Sequence, residues 1–425
     1  MNPQQFIIGL LFSFFFFQSC QQNKNEIILK KQNRKAKQRK SSSVHKKGIE
    51  HIADYQKEIR KGINQEKSSY KDGYLFKEYQ LAKQKAQARR GSNPIITPVF
   101  KERGPNNVPG RSRGLAIDPN NPNRWYVGTV GGGVWLTENA GISWSSLTDF
   151  KIPNLSTSTI VMSQTNSNIL YVGTGEPFGN LGAIGGSGVF KTINGGTTWQ
   201  HLTATSNFGD IGRMIINPSD HNNILVGATS GIYRTTDGGV SWAKTYASPG
   251  WVQDLDADPS NFNIQYGSIK GLGVVKSIDG GLNWNVIFNK ENFNTNHSRF
   301  ETAVSPANSN IIFLSVYSSA SGATVGVNTD FYISRNQGAS FRNLTTTDAN
   351  ANLLTGQGWY DNVLMAHPFD ANVFYVGGVA VFKGTVSGTT YTATSIASGY
   401  DSSEINSNVH VDQHGLFYVL RAQNI

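Results

Sequence analysis

The chain has 425 residues, of which 38% are hydrophobic, 11% aromatic and only 16% charged, with 45 glycines. Such a composition excludes a disordered or coiled-coil chain and suits many short strands joined by tight turns. The net charge of +10 is local: residues 21–90 hold 20 Lys/Arg against 7 Asp/Glu, a surplus of 13 that leaves the rest at −3 and argues against a nucleic-acid partner for the globular part.

In chain order, Phe6–Phe17 (FIIGLLFSFFFF) is an apolar run of 12, too short to cross a bilayer and of signal-peptide length. It leads through Gln18 and Ser19 into Cys20, the single cysteine, so no internal disulfide can form. A signal peptide is therefore predicted over residues 1–19. Its end resembles the lipobox of bacterial lipoproteins, which would make Cys20 the lipidated first residue of an exported protein held at the outer membrane or cell surface. The alternative is an ordinary cleaved signal peptide with an incidental cysteine. Residues 20–93 read as a basic stalk, partly helical because Ile49, Ile52, Ile59 and Ile63, and again Phe76, Tyr79 and Ala82, fall at helix-like spacings. Such an arm either contacts anionic headgroups or serves as a solvated spacer.

From residue 94 the composition turns to Gly, Asn, Thr, Ser and aromatics, and the chain becomes repetitive. Five segments share Ser/Thr, then Asp/Asn, then Gly, then an aromatic residue: Thr137-Glu-Asn139-Ala-Gly141-Ile-Ser-Trp144, Thr192 to Trp199 around Asn194, Thr235 to Trp242 around Asp237, Ser277 to Trp284 around Asp279, and Ser334 to Phe341 around Asn336. Successive copies start 55, 43, 42 and 57 residues apart, a period that belongs to repeat architectures. The Asp or Asn side chain accepts backbone N–H bonds inside its own turn, and the Gly two residues on supplies a left-handed conformation. These residues are expected to build the fold, not to perform chemistry.

Each unit parses into four strands; in the third they are predicted at 211–216, 224–227, 231–235 and 240–245. Units fall near 112–147, 155–203, 211–245, 251–288, 299–344 and, in degenerate form, 359–395, and equivalent first turns lie at 118–123 and 217–222. Six four-stranded units predict an all-β propeller over residues 94–425. Val409–Leu420 reads as the first strand of a seventh blade that the sequence leaves incomplete.

The stretches Arg103-Gly-Pro-Asn-Asn, Gly110-Arg-Ser-Arg-Gly-Leu-Ala-Ile-Asp-Pro, Tyr126-Val-Gly-Thr, Tyr171-Val-Gly-Thr-Gly-Glu176, Gln357-Gly-Trp-Tyr-Asp361 and Val409-His-Val-Asp-Gln-His414, together with the five turns, resemble the sortilin-type and BNR/Asp-box propeller proteins of secreted bacterial origin. That resemblance implies the propeller fold and leaves function open among receptors, sialidases and xyloglucanase-type hydrolases. Where xyloglucanase-type enzymes carry an Asp before a Gly-Gly pair in the first blade, this chain has Val130; and Arg111 and Arg113 do not make the arginine cluster of a sialidase.

The repeated turns join third to fourth strands, so the opposite face of the propeller carries the second-to-third turns and the blade links. Two insertions, 174–187 and 317–330, fall there, and that face is the expected binding surface. Its candidate residues are Arg111, Arg113, Glu176, Trp359, Tyr360 and Asp361. Glu176, expected to be exposed, reads either as an acid or as a loop cap, and Asp412 is the other candidate carboxylate. His410, Asp412 and His414 alternate along the predicted last strand; they make either a metal site or a polar brace between blades. No cofactor motif is present, and a metal ion is the one bound group these residues allow. The expectation is a tethered, non-catalytic propeller binding an extracellular protein, peptide or glycan, with a glycoside hydrolase acting on extracellular polysaccharide as the alternative.

Overall fold

The computed structural model describes residues 74–89, 111–149, 151–180, 183–289, 297–318, 329–346, 353–397 and 412–418. The apolar run, Cys20, the four stalk isoleucines, His410 and most of the 317–330 insertion lie outside them. Two units divide the chain at Ser69, and everything below belongs to the second, Tyr70–Ile425. One 16-residue helix, α1 (Tyr74–Arg89), falls where Phe76, Tyr79 and Ala82 predicted it.

All other regular structure is β. Six antiparallel four-stranded sheets follow one another along the chain, each with its strands in sequence order. They are β1–β4 (112–118, 121–129, 133–137, 145–146), β5–β8 (157–162, 170–174, 189–192, 200–202), β9–β12 (211–217, 220–228, 231–235, 243–246), β13–β16 (252–258, 261–269, 273–277, 285–289), β17–β20 (297–304, 312–318, 329–334, 342–344) and β21–β24 (363–366, 373–377, 381–387, 390–397). The first strands of successive sheets lie side by side, as the inner strands of a β-propeller do. In the third sheet the outer strand starts at Ala243, three residues later than expected, because Val240 to Trp242 are still turning.

The five repeated turns are built alike. Thr137 Oγ1 donates to Asn139 Oδ1 (2.9 Å) and accepts from Gly141 N (2.9 Å), while Ser143 N donates to Asn139 Oδ1 (2.9 Å). The same three bonds recur around Asn194, Asp237, Asp279 and Asn336. The turn holds two left-handed residues in a row, not the one expected: Ala140 (φ 54°) and Gln337 (φ 55°) adopt the conformation that Gly195, Gly238 and Gly280 take elsewhere.

That conformation lets each turn meet the sheet before it. Lys191 Nζ donates to Gly238 O (3.0 Å), Arg234 Nε to Gly280 O (2.7 Å) and Lys276 Nζ to Gln337 O (2.7 Å). A basic side chain on the third strand of one blade thus clasps the turn of the next. The turn aromatic packs toward the same side: Trp199 joins Leu170 and Tyr126, and Trp242 joins Tyr171 and Leu202. Trp144 of the first blade has no such cover and stays 40% exposed.

Glycines on the second strands set blade spacing. A β-carbon on Gly128, Gly173 or Gly227 would come within 2.5–2.7 Å of Thr157, Ile211 or Val252 on the next inner strand. Gly377 of the sixth blade meets Gln413 in the same way, at 2.7 Å. Asp412 N and Gln413 N donate to Val379 O and Gly378 O, Tyr418 packs edge-on against Tyr375, and Gly415 reaches the backbone of Arg113. Residues 412–418 therefore occupy the seventh inner position, between the sixth and first sheets, as the sequence implied. They are not a regular strand, however: Asp412 has φ 71°, and residues 413–418 belong to no ladder among the described residues.

Candidate functional site

The inner strands begin at the face opposite the repeated turns, and their first residues converge there with the 174–187 insertion. Gly175 (φ 97°) turns this loop inward against Asp210, where any side chain would collide. Asn154 Nδ2 holds its far end through Gly185 O (2.8 Å), and Asp210 Oδ1 accepts from Gly186 N (2.6 Å). Between these anchors the loop crosses the propeller axis. Pro177 O accepts from Gln253 Nε2 of the fourth blade (3.2 Å). Phe178, only 4% exposed, has the guanidiniums of Arg113 at 3.9 Å and Arg299 at 4.4 Å from its ring centre. Both cations are within cation–π range of the buried ring.

Glu176 is buried, not exposed as its place in a surface insertion suggested. Arg113 Nε donates to Oε1 (3.2 Å), Asn180 Nδ2 donates to Oε2 (2.7 Å), Arg111 approaches Oε2 at 3.5 Å, and the Tyr360 hydroxyl donates to Oε1. A carboxylate taken out of water needs this many donors, and none of its oxygens is left for a substrate. A second cluster lies beside it. Arg299 Nη2 donates to Glu301 Oε1 (2.5 Å), Arg213 reaches Glu301 Oε2 at 3.7 Å, and Arg213 Nε donates to Asp254 Oδ1 (3.0 Å). Arg299 also donates to the carbonyls of Tyr360 (2.8 Å) and Asn362 (2.7 Å), tying the fifth blade to the sixth. Sequence reasoning missed Phe178, Arg213, Asp254, Arg299 and Glu301; the signal available was a charged residue near the start of an inner strand, in a domain otherwise poor in charge.

Of the expected His410–Asp412–His414 alternation, His410 lies outside the described residues, and Asp412 is left-handed (φ 71°) instead of extended. His414 Nδ1 lies 3.1 Å from Asp361 Oδ1, and Asp412 hydrogen-bonds the same carboxyl group. Burial pushes Asp361 up to about 6 and His414 down to about 3, so the imidazole is neutral at physiological pH. No group of three His, Cys, Asp or Glu suited to a metal ion occurs among the described residues. Asp412 and His414 brace the sixth blade against the seventh inner segment. Of the candidate face residues, Arg113, Glu176, Tyr360 and Asp361 are buried, whereas Arg111 (47% of its side chain) and Trp359 (37%) remain open to solvent at the rim. Trp359 stacks obliquely on Tyr360 at 5.3 Å, and Arg111 lies over the same ring at 5.7 Å.

The buried carboxyls set a pH signature. Burial, with Asp254 alongside, pushes Glu301 up to about 7; burial likewise raises Asp256 to about 7. A carboxyl that holds its proton more tightly when folded stabilises fully below its unfolded value and loses that contribution as pH rises to about 7. Asp279 shifts the other way, down to about 2, because Asn283 and Ser277 donate to its carboxylate, and its contribution is lost only as pH falls toward that value. Chemical denaturation should therefore show stability declining between about pH 4.5 and 7, and Glu301→Gln should flatten that decline. An unchanged slope in the variant would refute the assignment.

No protein-family model and no curated protein matches the sequence. Among solved structures, an ancestral GH74 enzyme superposes with a TM-score of 0.54 at 20% identity, over 70% of this chain and 40% of that one. YCF48 from Cyanidioschyzon merolae aligns with a TM-score of 0.47 at 14% identity, over 68% of this chain and 86% of the other, and YCF48 bound to D1 peptide with 0.43 at 13%, over 63% and 74%. The chain thus spans well under half the length of the GH74 enzyme. It has the β-propeller fold. At such identities the likeness establishes the fold alone.

Proposed function

We propose that this chain is a non-catalytic binding module that engages a protein or peptide partner through the face opposite the repeated turns. One observation carries the reading. Glu176, Glu301 and Asp254, buried carboxyls gathered at that face, are each engaged by basic or hydrogen-bonding side chains. Glycoside hydrolysis needs two carboxyls flanking an open cleft. Here Phe178 is buried beside Arg113 and Arg299, and the first-blade turn carries Val130, which is 5% exposed, where xyloglucanase-type enzymes carry an Asp. What the face does present is Trp359 and Arg111 over Tyr360, residue types that dominate binding hot spots.

The test is a peptide and glycan array probed with the full chain, paired with a reducing-end assay on xyloglucan. Saturable peptide binding weakened about tenfold or more by Trp359→Ala, with no sugar released, is expected. Release of reducing ends that Glu176→Gln abolishes would overturn the reading. Export, lipidation at Cys20 and membrane contact through the basic arm belong to the same proposal, and radiolabelled palmitate incorporation that Cys20→Ser eliminates is the measurement that checks them.

A further inference from the structure

In each of the first four blades one backbone bond joins the residue before the inner strand to the first residue after the second strand, at the face opposite the repeated turns. Val130 N donates to Arg111 O (2.9 Å), Gly175 N to Ser156 O (3.0 Å), Thr229 N to Asp210 O (2.9 Å) and Lys270 N to Trp251 O (2.9 Å). The antiparallel pairing of first and second strands sets this register, so the blades differ there only in their side chains.

Three of the four pairs are engaged within the protein. In the first, Val130 is buried and Arg111 approaches Glu176 at 3.5 Å. In the second, Gly175 has no side chain and Ser156 is fully buried. In the third, Thr229 Oγ1 accepts from Asp210 N (3.1 Å), and Asp210 Oδ1 accepts from Gly186 N. The fourth pair differs. Lys270 lays its ammonium over the Trp251 ring, 4.2 Å from the centroid, and Gly179 of the 174–187 insertion packs against both. Gly250 passes so close that a β-carbon on it would lie 2.0 Å from Lys270 O, which fixes the pair in place.

The Lys270 side chain is partly buried, and that burial lowers its pKa. Lys191, Arg234 and Lys276 donate to turn carbonyls, whereas Lys270 Nζ has no hydrogen bond or ion pair among the described residues. A ring face offsets part of the charge and leaves the N–H donors open. A carboxylate can pair with this ammonium while it keeps its seat on the indole; a sugar ring would have to displace it to stack on that face.

We propose that Lys270, seated on Trp251, is a specificity-determining cation of this face and receives an acidic side chain of the peptide partner. The inference rests on the reading of the chain as a peptide-binding module and names the chemistry of its partner, an acidic segment.

Two fluorescein-labelled nonapeptides, one alternating Gly and Asp and the other Gly and Asn, are titrated into the full chain by anisotropy. At low salt the Asp peptide should bind about tenfold or more tightly than the Asn peptide. Lys270→Met should reduce that preference to about twofold or less, and Lys270→Arg should keep it. Both substitutions retain an unbranched stem to lie on Trp251, so thermal unfolding should match the parent. No preference for the Asp peptide in the parent, or a larger preference surviving in Lys270→Met, overturns the proposal. If both peptides bind alike and Trp359→Ala weakens both, the binding-module reading stands without it. If neither binds and sugar is released from xyloglucan, both fall. Polygalacturonate held through Lys270 by a chain that ignores the Asp peptide would make the anion a uronate and refute the peptide.

Discussion

Glu176→Ala is expected to lower the unfolding free energy by about 3–5 kcal/mol, because the substitution strands a buried cation. Arg113 is 5% exposed and has Glu176 as its ion-pair partner, while the Tyr360 hydroxyl and Asn180 amide would also lose their acceptor. The second blade, the first blade and the turn into the sixth are joined at this one carboxylate. Glu176→Gln should cost less, since an amide oxygen still accepts from Asn180 or Tyr360, although Arg113 loses its counter-charge. Thermal and urea unfolding of the two variants provide the measurement. If Glu176→Ala unfolded within about 1 kcal/mol of the parent, the carboxylate would not be the fastening it is described as. A catalytic acid, by contrast, is commonly neutral or stabilising to remove, so the sign of the change separates the two roles.

Phe178→Ala should cost about 3–5 kcal/mol as well, through lost apolar contact and the cavity left behind. Its second consequence is electrostatic. Arg113 and Arg299 both lie within 4.4 Å of the ring centre, so the ring offsets part of the repulsion between two buried guanidiniums. With the ring gone, both guanidiniums lose that cation–π partner, and a bound anion can take its place. The variant should therefore regain stability in sulfate or phosphate more than the parent does, a differential salt effect that simple cavity formation would not produce. Equal salt dependence in both proteins would leave the ring as filler.

The contrast between what the sequence disclosed and what it concealed follows from the range of the interactions. The five turns were legible because each is a closed local circuit: Thr235, Asp237, Gly239 and Ser241 satisfy one another within seven residues, so the pattern must be written contiguously. Strand placement followed from them, and the seventh inner segment was visible in Val409–Leu420. The axial cluster was not. Arg113 meets Glu176 and Tyr360 across separations of 63 and 247 residues, and nothing in the neighbourhood of any one of them announces the others. Exposure was misjudged for the same reason: Glu176 lies in a Gly-rich insertion that reads as surface until the loop is seen to fold over the axis. At Asp412 a single left-handed residue replaces the extended backbone expected there, and no local sequence rule marks it.

The clasps between blades have a direction. Lys191, Arg234 and Lys276 each grip the succeeding turn, and none reaches back. The sixth sheet has a plain hairpin at Ser387–Thr390 in place of such a turn, and it joins the fifth through backbone bonds between Thr345 and Thr389 and between Tyr391 and Thr345. Loss of an early blade would thus release the grip on its successor's turn, whereas the sixth blade grips no following turn among the described residues. Opening should be cheapest at the sixth sheet and travel backwards along the chain, so amide exchange would climb stepwise toward the middle blades. In mechanical terms the middle blades behave as a ratcheted row, each fastened by the one before it.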